Sequence, residues 1–485
     1  MAVVASPPKA WAILSQWLPP RNADLHCWWQ LTGLDLAHFM EAAGYPIAKQ
    51  IESLLFHYHW VVPYLGPAPA PNRTFNNKLK WNSILGAGPD GSTAIQYTWK
   101  WNSPAGTPDV GYTIDPIGRA TGTALDPLNH QAALEMLHHI AELVPTVDLS
   151  LASHFLSTLY SQNHIHFDYA SAEASVTTTV MVAAEWLAKG LNLSTYFILR
   201  PLGLGQADTS SKSKSKPPLA LSTWEASLAK LHPSTPARDA ITEFLTTNPE
   251  GKLLSPFMLA VTNTTPSQSH LKSYFHSPHT SFTSVRQILT LGGNNPLAEP
   301  LLRDLHSLIT AITLLSPDFS EEAEIQRAAE PHQPQPQYPA ATEPVLSGYI
   351  YSFVIVPGET TNIPEITLYI PVLGSEANDE LITQALTAWL TARNRGQYTS
   401  RYRDMIARIT PQRDLGNCKG VQTYVGCMFT KTGELDITSY IRPRLDAGMN
   451  PLFIHCKQRS SHLPSAHSNP PKNVIQEIKE PGIIR

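Results

Sequence analysis

The stretch of sequence that decides the fold reads Ile95-Gln-Tyr-Thr-Trp-Lys-Trp101. Large apolar residues stand at its odd positions, and the polar residues Gln96, Thr98 and Lys100 stand between them. A period of two is typical of a β-strand with one buried face, because successive side chains point to opposite sides of a sheet. We therefore expect a strand whose aromatic face packs against other elements and whose polar face meets water or a solvated chamber.

The same period recurs along the chain. Ile366, Leu368 and Ile370 alternate with polar residues in the same way. Further strands are expected at residues 177–183, 193–199, 259–261, 271–275, 349–356 and 422–429. Each of these segments combines β-branched or aromatic residues with a polar face, which favours strands that are buried on one side only.

Helical patterns lie between these strands. Asp126 and Pro127 have the form of a helix N-cap and a first helical residue. Amphipathic stripes follow at Ala133, Leu137, Ile140 and Val144, at Leu302, Leu305, Ile309 and Ile312, and at Leu381, Ile382, Leu386, Trp389 and Leu390. Strands with one apolar and one polar face that alternate with such helices can close into a barrel around a solvated chamber.

Composition excludes several classes of protein. The 485 residues are 42% hydrophobic and 15% charged, so the chain can bury a large core. With 35 Lys and Arg against 39 Asp and Glu, the net charge is −4, and nucleic acid is not an expected partner. The sequence contains neither an apolar run of the length a membrane span needs nor a secretory signal pattern, so no membrane partner and a cytoplasmic location are expected.

The expected domain organisation is simple. Residues 1–29 form an N-terminal extension, residues 30–456 form a single barrel domain, and residues 457–485 form a C-terminal tail. Low-complexity segments near residues 207–218 and 330–344 are expected to be exposed loops, because they are rich in serine, lysine, proline and glutamine.

The chemistry that the sequence suggests depends on tyrosines. Phosphate-binding glycine loops, nucleophile elbows and metal-binding motifs are all missing, including the Asp-Asp-x-x-Asp cluster that holds magnesium against an allylic diphosphate. We therefore expect no metal and no other cofactor. Several expected strands carry a tyrosine on the polar face, namely Tyr196, Tyr274, Tyr369 and Tyr424, and Tyr440 follows near the C-terminus. A ring of phenol faces can stabilise a carbocation, although tyrosines are also favoured in ordinary strands.

Five segments of the sequence occur in an order that is specific. They are Trp60-Val-Val-Pro-Tyr-Leu-Gly-Pro67, Asp90-Gly-Ser-Thr-Ala-Ile-Gln-Tyr-Thr-Trp-Lys-Trp-Asn102, Tyr112-Thr-Ile-Asp-Pro-Ile117, Pro364-Glu-Ile-Thr-Leu-Tyr-Ile-Pro371 and Gln422-Thr-Tyr-Val425. From about residue 30 to about residue 445, the chain resembles fungal aromatic (indole) prenyltransferases of the dimethylallyltryptophan-synthase family.

This resemblance implies both a fold and a reaction. The fold is the α/β ABBA prenyltransferase barrel, in which antiparallel strands enclose a solvent-filled chamber and a ring of helices lies outside. The reaction is metal-independent transfer of a prenyl group, usually dimethylallyl, from its diphosphate to an aromatic carbon in indole alkaloid or other secondary metabolism. The implied partners are a small aromatic molecule and dimethylallyl diphosphate, and the implied assembly is a monomer or a homodimer.

The resemblance also assigns residues, and most of the positive charge of the family pattern is missing. Gly111, Ser194 and Thr367 stand where the pattern has arginine, lysine, and lysine or glutamine. The Arg-x-Lys-x-Tyr element keeps Lys272 and Tyr274 but begins with His270. Gln96 corresponds to a glutamate, so it can accept a hydrogen bond but carries no charge and is not a useful base.

The expected site follows from this comparison of positions. Its catalytic residue is Gln96, and its substrate-binding residues are Lys272, Tyr274, Tyr196, Tyr369, Tyr424, Tyr440, His270, Thr367 and Lys100. Because each lost cation weakens the hold on a diphosphate, a second hypothesis stays open: a cyclase or isomerase that acts on an already prenylated alkaloid without diphosphate. A catalytically inactive binding protein is a third hypothesis.

Overall fold

The protein is described here by a computed structural model. It describes residues 6–68, 83–86, 94–102, 106–121, 123, 125–126, 128–159, 179–187, 190–198, 227–228, 235–325, 348–356, 363–372, 377–410, 416 and 420–442. The segments near 207–218 and 330–344 and the tail 457–485, which were expected to be loops or tail, lie outside these residues.

The strands form a closed antiparallel barrel. They are β1 Ile95–Lys100, β2 Asp109–Ile114, β3 Val180–Leu187, β4 Gly190–Ile198, β5 Ser255–Thr262, β6 Leu271–Ser277, β7 Tyr349–Ile355, β8 Glu365–Pro371, β9 Gln422–Phe429 and β10 Leu435–Ile441. Each strand pairs with its neighbours in the sequence, and β10 returns to pair with β1. The expected antiparallel barrel is therefore confirmed.

Helices surround this barrel. The α-helices in the described ranges are α1 Lys9–Trp17, α2 Ala23–Trp28, α3 Leu34–Ala43, α4 Ile47–Phe56, α5 His130–Leu143, α6 Ser150–Leu159, α7 Pro236–Thr247, α8 Phe282–Leu289, α9 Glu299–Ile312, α10 Asp379–Ala392 and α11 Thr399–Ile409. Two π-helical segments, Trp29–Gly33 and His57–Val61, extend α2 and α4. None of the helices in these ranges is long and apolar enough to span a membrane.

The outer face of the barrel is the main hydrophobic core. Tyr97 on β1 stacks on Phe39 of α3 with a centroid distance of 4.8 Å, and Trp99 lies 5.4 Å from Tyr402 of α11. Both β1 side chains are fully buried. The aromatic face of the β1 segment therefore packs against helices, as the period of two predicted, and its polar face is left for the interior.

The barrel closes because its first strand, β1, pairs with its last strand, β10. Tyr97 of β1 pairs with Ile441 of β10 in the antiparallel register. Just beyond β1, the indole Nε1 of Trp101 donates a hydrogen bond of 3.0 Å to Ser439 Oγ, a contact between residues 338 positions apart. Because no sheet edge is left open in this register, the interior becomes an enclosed chamber.

The segment before residue 30 packs against the helices. Trp11 of α1 is buried and stacks on Trp29 with a centroid distance of 6.3 Å. The indole Nε1 of Trp29 also donates a hydrogen bond of 3.1 Å to Ser15. The domain boundaries expected at residues 30 and 456 stay predictions.

Helix α5 begins later than the sequence predicted. Its first residue is His130, whereas the expected start was Asp126 and Pro127, so that prediction was wrong. The residue before the helix, Asn129, has a left-handed backbone with φ of 56°, which interrupts the chain there. The carboxylate of Asp126 still caps the helix, because it accepts hydrogen bonds from the backbone N–H groups of His130 (2.8 Å) and Gln131 (3.1 Å).

Removing this cap should destabilise the protein measurably. We expect Asp126→Ala to lower the free energy of unfolding by about 1–2 kcal/mol, since two helix N–H groups lose their acceptor. Urea unfolding followed by circular dichroism measures the change. Asp126→Asn keeps an acceptor oxygen and should lose less, and equal losses in the two variants would contradict the capping role.

Candidate active site

Side chains on the inner face of the barrel form a separate cluster from the outer core. Its buried apolar members are Leu85, Met181, Ile198, Met258, Ala260, Tyr274 and Ile350, and Tyr196, Tyr369 and Tyr424 pack against them. Strand alternation also turns Gln96, Thr98, Lys272 and Thr367 toward this interior. Seven of the expected site residues are therefore brought to one chamber with a mixed aromatic, apolar and polar lining.

Four tyrosine rings form a continuous chain inside the chamber. The centroid distances are 6.0 Å from Tyr196 to Tyr274, 5.8 Å from Tyr274 to Tyr369 and 5.7 Å from Tyr369 to Tyr440. Burial first, and the neighbouring phenols second, raise the pKa of Tyr274 and Tyr440 well above the usual value. These phenols therefore stay neutral, and their π faces are available to a cation.

Lys272 lies beside this chain. It pairs with Ala260 on β5 and Val354 on β7. It therefore belongs to the same row of paired residues across the strands, called a rung below, as Tyr196 and Glu365. Burial acts to lower the pKa of its ammonium group, but the oxygens of Tyr196, Glu185, Tyr369 and Glu365 outweigh burial and raise it. Lys272 is therefore a positive charge at neutral pH, next to aromatic faces.

Gln96 is held in one orientation by Thr423. The hydroxyl of Thr423 donates to the backbone oxygen of Tyr440 at 3.1 Å, so its single proton is already used. It therefore accepts from the Nε2 amide of Gln96 at 2.7 Å. Gln96 Oε1, which accepts no hydrogen bond from the described residues, is left as an acceptor on the inner face of β1.

The remaining expected residues lie at different depths. The Nζ atom of Lys100 lies 3.4 Å from Asp436 Oδ2, and the lysine side chain is 40% exposed. Its charge is therefore paired with Asp436 at the rim of the barrel. His270 precedes β6 and is half-buried, and its backbone oxygen accepts a hydrogen bond from Thr262. Thr367 faces the interior between Ser352 and Met428 in the strand register.

Glu185 is a chamber residue that the sequence did not reveal. It lies on the inner face of β3, and its Oε2 atom accepts a hydrogen bond of 2.9 Å from Asn192 Nδ2 on β4. The adjacent position on β2 is Gly111. A Cβ atom added at Gly111 would lie 2.9 Å from Glu185 Cγ and 2.9 Å from Thr98 Oγ1, so this rung has no room for a side chain at position 111.

The spacing of the tyrosine chain depends on Gly426. This glycine lies on β9 opposite Tyr369, and a Cβ atom there would lie 3.2 Å from Tyr440 Cε2 and 3.7 Å from the Tyr369 ring. The two rings therefore close over a position that has no side chain.

A larger residue at this position should open the chain of rings. If the protein catalyses the prenyl transfer that the resemblance in its sequence implies, we expect Gly426→Val to lower kcat by roughly tenfold to a hundredfold, and to raise the share of prenyl donor that is lost to water, because the rings move apart. Product analysis by liquid chromatography measures both quantities. Gly426→Ala should give a smaller change in the same direction, and an unchanged water-derived fraction in both variants would contradict this role.

Among the described residues, no group of three or more His, Cys, Asp and Glu side chains is arranged to hold a metal ion.

The comparisons with known proteins agree with the fold. The family model described as tryptophan dimethylallyltransferase matches residues 24–405. Penicillium roqueforti prenyltransferase anuH is 51% identical over 91% of this chain and 94% of the relative. Xanthone prenyltransferase B of Emericella nidulans is 40% identical over 90% of this chain and 91% of the relative.

Solved structures show the same architecture at lower identity. AnaPT from Neosartorya fischeri superposes with a TM-score of 0.69 at 19% identity, over 90% of this chain and 98% of that one. NotF in complex with brevianamide F and DMSPP gives 0.68 at 16% identity, over 90% and 99%.

A closed antiparallel barrel with helices outside is the architecture of the ABBA prenyltransferases. The family resemblance seen in the sequence is confirmed by the family model and by the relatives. The chain belongs to the tryptophan dimethylallyltransferase family and is an aromatic prenyltransferase.

Proposed function

We propose that the protein transfers a dimethylallyl group from its diphosphate to a ring carbon of a phenolic aromatic molecule, without a metal ion. The observation that carries the proposal is the position of Lys272, a half-buried positive charge on the same row of paired residues as Tyr196 in the chain of tyrosine rings. A charge that can hold a diphosphate and π faces that can hold an allylic cation are the two requirements of this reaction.

The reaction divides between the two halves of the site. Lys272 holds the diphosphate, the donor C–O bond breaks, and the electron pair leaves with the diphosphate. Tyr196, Tyr274, Tyr369 and Tyr440 shield the allylic cation from water. The new C–C bond forms to the ring carbon, which then loses its proton to the released diphosphate, and aromaticity is restored.

A phenolic acceptor is favoured by the names of two relatives, and Gln96 is compatible with it. Gln96 Oε1 is left to accept an O–H or N–H hydrogen bond from an acceptor, and as an amide it carries no charge. Two relatives at 40% and 39% identity, each matched over 90% of this chain, are named xanthone prenyltransferases, and a xanthone is an oxygenated aromatic molecule. An indole acceptor would use the same oxygen. The names of these relatives support transfer, and no observation favours the cyclase or isomerase hypothesis.

The test is a comparison of acceptors in the presence of EDTA. The purified protein is incubated with dimethylallyl diphosphate and, in turn, a hydroxyxanthone, a simple phenol and tryptophan, and products are identified by mass spectrometry. We expect prenylated product from the hydroxyxanthone at the highest kcat/KM. Absence of diphosphate release with every acceptor would contradict the transferase proposal, whereas preference for tryptophan would contradict only the phenolic acceptor.

The location and assembly of the protein belong to the same proposal. We place the protein in the cytoplasm as a monomer or homodimer that binds neither nucleic acid nor membrane. Support comes from Cys427, a buried cysteine that forms no disulfide in the part of the chain that the structure describes, as is usual in a reducing compartment. Light scattering after size-exclusion chromatography measures the mass of the particle, and a mass above that of a dimer would contradict the proposed assembly.

A further inference from the structure

The two ends of the chamber have different linings. Neighbouring strands are antiparallel and follow the sequence order, so the odd-numbered strands begin at one end of the barrel, called the odd end below, and the even-numbered strands begin at the other, called the even end. Lys272 is the second residue of β6 and lies near the even end, whereas Gln96 is the second residue of β1 and lies near the odd end. The inner-face cluster places three apolar side chains near the odd end, those of Met181, Ile198 and Ile350. The odd end therefore offers apolar surface around the free oxygen of Gln96.

An irregularity in β5 turns one additional side chain into the odd end. In the register of β5 with β6, Pro256 pairs with Phe275 and Met258 pairs with Tyr274, so Phe257 is an extra residue, as in a β-bulge. Since Met258 belongs to the inner-face cluster, regular alternation would place Phe257 on the outer face of the barrel. Phe257 instead packs against the inner-face cluster. The bulge thus gives the chamber an aromatic ring that a regular strand could not supply.

The ring of Phe257 meets the chain of tyrosines on the side away from Lys272. Its centroid lies 6.2 Å from that of Tyr274, and the two planes form an angle of 69°, which is an edge-to-face contact. Along this wall of the barrel, the order from the even end to the odd end is Lys272, Tyr274 and Phe257. Phe257 is only partly buried, so part of its surface stays accessible.

A partly buried phenylalanine in a chamber is a surface for a flat aromatic molecule. The ring has no hydrogen-bonding group, so it holds a ligand by apolar contact and by stacking of π faces. Strands β1 and β5 are four steps apart in the closed order of ten strands, so Gln96 and Phe257 lie on nearly opposite walls. A fused-ring molecule whose hydroxyl group donates to Gln96 Oε1 can therefore place a ring face against Phe257.

On this basis, and resting on the acceptor of the proposed function, we propose that Phe257 selects a flat, fused-ring acceptor by stacking on its face while Gln96 accepts a hydrogen bond from its O–H or N–H group. The β-bulge is the feature of the backbone that positions this ring. Selection of the acceptor is thus separate from the binding of diphosphate at Lys272, because the two groups lie toward opposite ends of the chamber.

The experiment is a titration of the full chain with a hydroxyxanthone in the absence of donor, followed by isothermal titration calorimetry. Phe257→Leu keeps an apolar side chain but has no ring face. We expect its Kd for the hydroxyxanthone to rise roughly threefold to tenfold, as the loss of one aromatic pair predicts. The Kd for para-cyclohexylphenol, whose second ring is saturated and not flat, should change by less than about twofold, because this ligand has no second π face to stack. The Kd for inorganic pyrophosphate should also stay within about twofold, because Lys272 is remote from the change.

The matched control is Met258→Leu. Met258 is the next residue of β5 and belongs to the same cluster, and this substitution conserves apolar volume, so we expect the Kd for the hydroxyxanthone to change by less than about twofold. Phe257→Tyr keeps the ring and should bind the hydroxyxanthone within about twofold of wild type. If Phe257→Leu does not fold, Phe257→Met replaces the ring by a flexible apolar chain and is expected to show the same selective loss.

Three results would overturn the inference. They are an unchanged Kd for the hydroxyxanthone in Phe257→Leu, an equal rise in Kd for the flat and the saturated phenol, and an equal rise for pyrophosphate. Absence of hydroxyxanthone binding by wild type would also overturn it, while diphosphate release with another acceptor would still support transfer. Conversely, a hydroxyxanthone that binds as expected but yields no prenylated product would contradict the proposed transfer and leave this inference in place, because binding is measured without donor.

Discussion

Lys272→Met is expected to lower kcat for dimethylallyl transfer by roughly a hundredfold to a thousandfold, about 3–4 kcal/mol of transition-state stabilisation. Burial acts to lower the pKa of Lys272, but four surrounding oxygen groups raise it, so this side chain carries a positive charge inside the chamber. Methionine matches the length of the side chain but cannot neutralise the charge that develops on the leaving diphosphate. Initial rates of diphosphate release at saturating donor and acceptor measure the loss.

The matched control is Lys100→Met. This lysine also belongs to the inner face of the barrel, but its charge is engaged with Asp436 and its side chain is 40% exposed. Exposed ion pairs contribute about 0–1 kcal/mol, so we expect a change in kcat of less than about tenfold. Equal losses in the two variants would mean that the diphosphate is held at the rim and not beside the tyrosine rings.

Asp379→Ala is expected to have the largest effect on stability, a loss of about 3 kcal/mol in the free energy of unfolding. Asp379 is fully buried at the first turn of α10, and its carboxylate accepts hydrogen bonds from the backbone N–H groups of Val421 (3.1 Å) and Gln422 (2.8 Å). Alanine leaves both buried N–H groups without this acceptor, at about 1–3 kcal/mol each before relaxation.

Urea unfolding of wild type and variant measures this loss. The adjacent Glu380 is exposed and makes one hydrogen bond within the helix, to Gln384. We expect Glu380→Ala to change the free energy of unfolding by no more than about 0.5 kcal/mol. A similar small change in Asp379→Ala would show that the link between α10 and β9 contributes little.

Much of the fold could be predicted from local patterns, and the misses have physical causes. The alternation in β1 and the stripe of α9 are strong because one face of each element is fully buried. Strand β2 was not predicted, because Gly111 and Asp109 disfavour a strand and only the tight rung of the barrel explains the glycine. Strand β10 was not predicted, although Leu435, Ile437 and Ile441 alternate with polar residues in the pattern that is typical of a strand.

Site residues could be predicted from the sequence only where the residue type and its position in an expected strand together indicate a role. Lys272 and Tyr274 stand two apart in an expected strand, so their common face followed from the period of two. Glu185 gave no such signal, because one acidic residue in an apolar strand does not show that it faces a chamber. Gly426 gave none either, since its importance comes from two rings on other strands that close over it.

The pairing of β1 with β10 also bears on how the chain is made. The Trp101–Ser439 contact joins residues 338 positions apart, so at synthesis rates of about 5–20 residues per second β1 waits roughly 20 to 70 s for its partner. During that time one edge of the growing sheet is an unpaired template for other nascent chains. Yield of this enzyme in a foreign host should consequently depend on translation speed and on chaperones that cover nascent strand edges.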